Sequence, residues 1–369
     1  MQTSHKLGVT LLVIFWDFGI GGVQKKMTDI AAYAAVSEGK GLRLHFILRD
    51  KPSFRFDTEQ TLQPAIVHYR PVFGNAFIHV PFSLYCFWQI FKNRPETVLT
   101  FLDHASWITI ISAKILFWRK IRIVLNEDTF TSSHTTSPIK RLLVSLLYPR
   151  ADLIISPTMA SRENLIRAFR IPASLITVIP NWTMARVSKQ QRKTTYDLLY
   201  IGRFAQQKNI VFLLNAVKHM LPEKKNVSLC LVGEGPEKPL ILHRIRELGL
   251  TTNVSIFPSS HTVGDYFRQS TIFVLSSWYE GMPVALLEAM TAGVAVVTTN
   301  FPGVSEYITH GTTGLIARTE KEFAAHICTL LSNDTYRETL QNNAKKDVQR
   351  RFSHTTLQWY IKTVLQDKA

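Results

Sequence analysis

Cysteine is scarce in this chain. Cys86, Cys230 and Cys328 are scattered through 369 residues with no C-x-x-C spacing. An odd, dispersed set excludes a disulfide framework and a thiolate zinc site, and it fits a reducing, cytoplasmic setting. Long apolar runs are also missing. The best two, 77–91 and 105–118, are broken by His79 and Pro81 and by Lys114, and neither reaches the ~18 uncharged residues of a membrane span. The apolar stretch at 7–16 stops at Asp17 without a small-residue cleavage pattern, so no signal peptide is expected. No D-x-D triplet occurs, which removes a common carboxylate ligand pair for Mg²⁺ or Mn²⁺; no metal site is expected. Acid is the minority charge, with 27 Asp and Glu against 43 Lys and Arg, a net charge of +16. Such a balance calls for anionic partners: nucleic acid, an anionic membrane surface or phosphorylated substrates. No nucleic-acid-binding motif accompanies it, so nucleic acid is not expected as a partner.

With 369 residues, 46% hydrophobic and 19% charged, the chain has core material for two domains. Apolar runs of strand length at 9–15, 42–48, 98–102, 121–125 and 153–156 alternate with helical stretches such as 24–37. That alternation predicts a parallel sheet covered on both faces. The pattern ends at Val178-Ile179-Pro180-Asn181, and the polar, basic stretch 188–195 reads as linker. It restarts with strands at 197–201, 228–232, 254–257, 272–275 and 295–298 and helices at 210–220, 239–248 and 284–292. The expected division is an N-terminal domain 1–182, a linker 183–196, a second β/α domain 197–350 and a closing helix 351–369 with Ser353 as its N-cap.

The most informative segment is SSWYEGMPVALLEAM at 276–290, in which Glu280 and Glu288 stand 8 residues apart. Pro283 suits a first helical turn, where its missing N–H would be unpaired anyway, and a helix is predicted from Val284 to a stop at Gly293. Glu280 then lies in the loop before the helix and Glu288 within it. A loop running into a helix start collects free N–H groups and the positive end of the dipole, which suits phosphate. Two more strand ends carry chemistry. Gly202 permits a tight turn after 197–201, and Arg203 and Lys208 then offer a bidentate fork and a mobile point charge, as a diphosphate requires. Gly233 and Gly235 make a G-x-G turn after 228–232. Near the N-terminus, Gly19-Ile20-Gly21-Gly22-Val23-Gln24 is a near miss to G-x-G-x-x-G, with Gln24 in place of the third glycine. Asp50, at the end of the second strand, leaves a nicotinamide-dinucleotide reading open.

Taken in order, these segments resemble the retaining glycosyltransferases of family 4, which have the GT-B fold: two Rossmann-like β/α/β domains facing each other across a cleft, with a C-terminal helix crossing back to the N-terminal domain. The resemblance is strong from about 151 to 314 and loose from about 51 to 150. It implies that Glu288 of the E-x7-E signature binds the donor ribose and that Glu280 lies near the transferred sugar, with Gly281, Met282, Pro283 and Val284 on the donor side. Gly202, Arg203 and Lys208 match the family's G-R-…-K-N stretch, whose Arg and Lys hold the diphosphate. Gly233 and Gly235 match its V-G-x-G-P turn, where the backbone passes the nucleotide. Phe257 and Pro258 fall where the family contacts the base, but Ser259-Ser260 replace a frequent glycine there, which leaves the base open. Gly21 and Gly22 match a G-G-V loop that closes over the donor phosphates or lies beside the acceptor. His104 stands near the family's sugar-touching histidine. Asp103, Glu127 and His134 fall on the acceptor side. Glu306 and the glycines of 301–314 shape loops beside the site.

By this resemblance the catalytic set is Glu280, Arg203, Lys208 and His104. The activity implied is retaining, metal-independent hexosyl transfer (EC 2.4) from a UDP- or GDP-linked sugar, a substrate rather than a cofactor, to a glycan or lipid-linked acceptor in surface polysaccharide or glycolipid assembly. A GT-B sugar-nucleotide epimerase and a non-catalytic sugar-nucleotide-binding protein are the alternatives. Lys114, Arg119, Lys120 and Arg122 flank the apolar 115–118, basic residues edge the apolar 138–150, and aromatics crowd 82–91. Apolar helices edged by cations suit anionic lipid, so the expected location is cytoplasmic and peripheral on the membrane.

Overall fold

The structure, a computed structural model, describes residues 10–15, 22–36, 42–48, 65–69, 79–101, 103–135, 137–184, 194–258 and 263–365. The chain divides into two compact units, Met1–Pro180 with Leu357–Ala369, and Asn181–Thr356.

Unit one holds strands β1 (Thr10–Phe15), β2 (Arg43–Leu48), β3 (Ile66–Tyr69), β4 (Thr97–Phe101), β5 (Arg122–Asn126), β6 (Leu153–Ser156) and β7 (Ile176–Val178). They form one parallel sheet in the order β3-β2-β1-β4-β5-β6-β7. Its strands are near-continuous apolar runs because helices cover both faces; every residue of β4 is buried. Leu12, Ile14 and Val98 pack with Phe82, Cys86 and Ile90 from helix His79–Asn93. A second cluster joins Leu125 and Ile154 to Val144, Tyr148, Leu165 and Phe169. At the carboxyl end of β5 a polar cluster is sealed in. Lys26, from helix Gly22–Val36, forms a buried ion pair with Asp128. Burial lowers the Lys26 pKa while Asp128 opposes the shift. The Tyr360 hydroxyl, from helix His354–Leu365, donates to Asn126 Oδ1 at 2.8 Å, and an Arg122 Nη donates to the Thr363 carbonyl at 3.1 Å.

Unit two repeats the plan with β8 (Tyr196–Ile201), β9 (Leu229–Val232), β10 (Val254–Phe257), β11 (Ser270–Leu275), β12 (Ala295–Thr299) and β13 (Leu315–Ala317). All pairs are parallel, in the order β10-β9-β8-β11-β12-β13. One core unites Leu199, Leu231, Val274 and Val297 with Leu213, Leu287 and Phe323 from the covering helices.

Some local expectations shift. Helix Gly22–Val36 begins two residues before the predicted 24, which puts Gly22 in its first turn instead of the preceding loop. Pro283 is extended, with φ −71° and ψ 118°, and stands just outside helix Val284–Thr291 as its N-cap. Gly293, at φ 71°, takes the left-handed conformation that ends a helix. Strands β3, β7 and β13 are only three or four residues long and gave no separate signal. Helix Asp334–Arg351 is polar except for Leu340, Ala344 and Val348, a stripe at a spacing of four. Among the described residues no helix is long and apolar enough to cross a membrane.

Candidate functional site

In unit two the strand order reverses between β8 and β11. Open parallel sheets bind ligands at such switch points, outside the carboxyl ends of the strands, where neighbouring loops diverge. The loop 202–209 leaves β8 and the loop 276–283 leaves β11. Together they carry Gly202, Arg203, Lys208, Glu280, Gly281, Met282 and Pro283.

Glu280 is the hub and is only 6% exposed. Its Oε1 accepts from Ser277 Oγ at 2.6 Å and is paired with the Lys208 ammonium. Gln207 Nε2 lies 3.4 Å from the Tyr279 carbonyl and 3.5 Å from Glu280 Oε2. The two loops are cross-linked around this hub. Ser276 Oγ donates to the Lys208 carbonyl at 2.9 Å, the Trp278 N–H to the Gln207 carbonyl at 2.9 Å, and Thr299 Oγ1 to the Ser277 carbonyl at 2.6 Å. Asn209 turns the chain into helix Ile210–Met220 at φ 46°, a left-handed conformation that Asn accepts more readily than most residues. An ammonium has three donors, so Lys208 keeps capacity after engaging Glu280. Arg203 is exposed, and among the described residues no acid pairs with it. The site therefore presents a buried carboxylate paired with one cation, and a second cation exposed on the same loop. Burial first, and then the charge of Glu280, push the phenols of Tyr200, Tyr279 and Tyr307 up, which keeps all three neutral. Tyr200 donates to the Arg203 carbonyl at 3.2 Å. The Tyr307 hydroxyl is buried, and among the described residues it has no partner.

The glycines have a reason within the fold. Gly202 N–H donates to the Val232 carbonyl at 3.0 Å, and Phe204 N–H to the Glu234 carbonyl at 2.8 Å. A Cβ on Gly233 would stand 2.0 Å from the Gly202 oxygen, and one on Gly235 would stand 2.3 Å from the Phe204 oxygen. Backbone packs on backbone there, and only glycine permits it. Glu288 is half-buried on helix Val284–Thr291. Met282 is tied down by Asn181, whose Nδ2 donates to the Met282 carbonyl at 2.6 Å and whose N–H reaches the Met282 sulfur at 3.2 Å. The Phe257 ring packs edge-on against Tyr196, centroids 6.2 Å apart, and tilted against Tyr266 at 5.7 Å. Pro258 beside it is exposed, and Ser259-Ser260 lie outside the described residues.

In unit one, Gly21 and Asp50 lie outside the described residues. Asp103 and His104 open helix Asp103–Ile115, and His134 ends the short helix Thr131–His134; their side chains are outside the described set. Glu127 is 2% exposed, and its two oxygens accept from Tyr148 at 2.6 Å and Thr131 at 2.9 Å. Those bonds make it a brace for the segment after β5. Sequence reasoning missed Ser277, Thr299, Tyr307 and the clamp on Met282. Ser277 adjoins the E-x7-E signature and Asn181 closes the I-P-N stretch, but nothing in their order says that they bond where they do. Among the described residues no group of three or more His, Cys, Asp or Glu could hold a metal ion.

Comparison with known proteins decides the family. A profile described as "Glycosyltransferase Family 4" matches residues 20–183, and one described as "Glycosyl transferases group 1" matches residues 184–347. The chain belongs to the group 1 glycosyltransferases. This glycosyltransferase is 25% identical over 360 residues to the N-acetylgalactosamine-N,N'-diacetylbacillosaminyl-diphospho-undecaprenol 4-alpha-N-acetylgalactosaminyltransferase of Campylobacter jejuni, covering 92% of this chain and 94% of the relative. It is 27% identical over 237 residues to an amylovoran biosynthesis glycosyltransferase of Erwinia amylovora, covering 60% and 65% of the two chains. Among solved structures it resembles Anabaena HepE in complex with UDP and glucose, with a TM-score of 0.82 and 20% identity over 97% of this chain and 99% of the other. That likeness, with two parallel sheets of Rossmann order, gives this glycosyltransferase the GT-B fold.

Proposed function

We propose that this glycosyltransferase is a retaining, metal-independent enzyme that transfers a hexose from a nucleotide sugar to a lipid-linked glycan. One observation carries the reading: a buried carboxylate, Glu280, fixed by Ser277 and Lys208 at the β8/β11 switch point, with Arg203 exposed on the same loop as Lys208. The donor diphosphate lies against Arg203, Lys208 and the first turn of helix Val284–Thr291, whose N–H groups and dipole favour anions. Glu288 takes the ribose hydroxyls and Glu280 orients the sugar. The acceptor hydroxyl attacks the anomeric carbon on the face from which the diphosphate departs. The new C–O bond forms as the old one breaks, and the hydroxyl proton passes to a donor phosphate oxygen. Fixed cations aimed at the departing charge stabilise it where a metal otherwise would, and the same cations repel a divalent ion. Unit one supplies the acceptor side.

The HepE structures that contain UDP and UDP-glucose support a UDP-linked donor over a GDP-linked one. The named acceptor of the Campylobacter relative, a diphospho-undecaprenol glycan, supports a lipid-linked acceptor. The Erwinia relative supports a place in cell-surface polysaccharide synthesis. The test is a thermal-shift screen of UDP, GDP, ADP and NAD⁺ in chelator, on wild type and Glu288→Ala. The expected result is stabilisation by UDP that the variant loses. Stabilisation by NAD⁺ alone, or by no nucleotide, refutes the reading. NMR of the product's anomeric configuration tests retention.

A further inference from the structure

We infer that one face of unit one, built from three neighbouring helices, is a docking surface for an anionic lipid bilayer. The connections β3 to β4, β4 to β5 and β5 to β6 all run the same way across the sheet. Right-handed crossovers therefore put helices His79–Asn93, Asp103–Ile115 and Pro138–Leu147 on one side of it. The first packs on the second, and the second on the third.

Each helix buries one stripe and exposes another that is also apolar. On the first, Phe82, Cys86 and Ile90 are in the core while Leu84, Trp88 and Phe91 are exposed at a helical spacing. On the second, Ile111 and Ile115 continue into Phe117 and Trp118, which are 78% and 60% exposed. On the third, Ile139, Leu142 and Leu146 are exposed opposite buried Val144. An amphipathic surface helix puts polar residues outward; here the outward stripes are apolar on three adjacent helices. Contiguous exposed apolar surface of this kind marks an interaction site.

Charge names the partner. Segments 79–96, 103–126 and 137–151 contain nine Lys or Arg against Glu96 and Asp103, a net +7 of the +16 of the whole chain. Cations are layered onto the aromatics: the Lys92 ammonium lies 4.9 Å from the Trp88 ring centroid and the Arg119 guanidinium 4.4 Å from that of Phe91. Aromatic and aliphatic tips beside a rim rich in cations match the headgroup boundary of an anionic bilayer. A second copy of the chain would bring the same cations against each other. The inference deepens the proposed function, since a lipid-linked acceptor is presented at such a surface, but it is argued from this face alone.

The test is co-sedimentation of the full chain with vesicles of phosphatidylcholine, or of equal parts phosphatidylcholine and phosphatidylglycerol. The expected result is binding to the anionic vesicles, released by high salt, and weak binding to the neutral ones. Each cation near the surface is worth about fivefold in partition, so combined Lys114→Gln, Lys120→Gln and Lys140→Gln should lose about 100-fold. All three side chains are exposed. Phe117→Ser with Trp118→Ser should weaken binding as well, and brominated lipid should quench tryptophan fluorescence in the unaltered protein. Unchanged partition in the triple-lysine variant, equal binding to both vesicles, or a dimer that Trp118→Ser dissociates would overturn the proposal. The UDP thermal shift reads unit two and should be unaltered in the lysine variant, so failure of the face and failure of the donor site are told apart.

Discussion

Glu280→Gln tests the hub directly. The carboxylate pairs with Lys208 and accepts from Ser277 at 2.6 Å, and the Glu280 and Lys208 side chains are 8% and 18% exposed. Ser277 and Lys208 share Oε1, so the carbonyl oxygen of Gln can still accept from both, but the charge pairing is gone and an amide nitrogen replaces the Oε2 that faces Gln207 Nε2. A hydrogen bond to a charged group contributes ~1.5–3 kcal/mol. Breaking a fully buried ion pair from one side costs ~3–5 kcal/mol. Because Lys208 retains some access to water, the expected destabilisation is at the lower end, about 2–3 kcal/mol. Lys208→Met should cost a similar amount by leaving Glu280 unpaired, and the double variant should cost less than the two together by ~1–3 kcal/mol. Urea unfolding read by tryptophan fluorescence measures all four corners of the cycle, with Trp278 next to the hub as a reporter. In turnover, Glu280→Gln should lower kcat by about 100-fold with little change in donor KM, the signature of an interaction made mainly in the transition state. Additivity within ~0.5 kcal/mol, or an undiminished kcat, would refute the assignment of Glu280 as a charge-paired, sugar-orienting group.

Gly233→Ala should lower the unfolding midpoint and abolish the UDP shift, because its Cβ meets the Gly202 carbonyl oxygen at 2.0 Å and neither backbone can yield without moving the β8 loop; a cost of about 2 kcal/mol or more is expected, and normal stability would contradict the packing described. His45 Nδ1 and His68 Nε2 stand 3.1 Å apart with stacked rings. Burial first, then nearby positive charge, lowers both pKa values from 6.5. The unfolded chain therefore takes up these protons before the folded one. The stability from the neutral pair is present above the unfolded value and is lost as pH falls from it toward the depressed folded values. His45→Gln should flatten the melting profile where pH falls below 6.5, and parallel profiles for variant and wild type would contradict it.

Much of the fold was legible because the long parallel strands are uninterrupted apolar runs. Strands β6 and β10 match the predicted ranges, and β1, β4, β5, β8 and β12 lie within a residue of them at each end. Edge strand Ile66–Tyr69 is four residues with His68 breaking its apolar run, and helix Asp334–Arg351 buries too thin a stripe to declare itself. At the site, residue types in order single out Glu280, Lys208 and Arg203 as candidates, since a carboxylate and two cations at strand ends have specific chemistry. The cross-links were invisible because they join residues far apart in sequence, such as Thr299 to Ser277 and Ser276 to Lys208. A glycine signals close approach but not what approaches; at Gly233 and Gly235 the neighbouring loop is one such backbone. For the same reason Glu127 looked like an acceptor-side acid, although Tyr148 and Thr131 engage it in the interior.

The clamp that Asn181 places on Met282 bears on how unit two can be isolated. A fragment begun at residue 183, where the sequence suggested a linker, would leave the Met282 carbonyl without its donor and the space of the fully buried Trp182 indole empty. It would also begin at Thr183, whose N–H donates to the Phe352 carbonyl at 3.0 Å, so that this segment would fray from its very first residue. The independent half runs from Asn181 to Thr356. A protease or a cloning junction that trims two residues from its start would disturb the loop of Glu280 from a point 99 positions away in the chain.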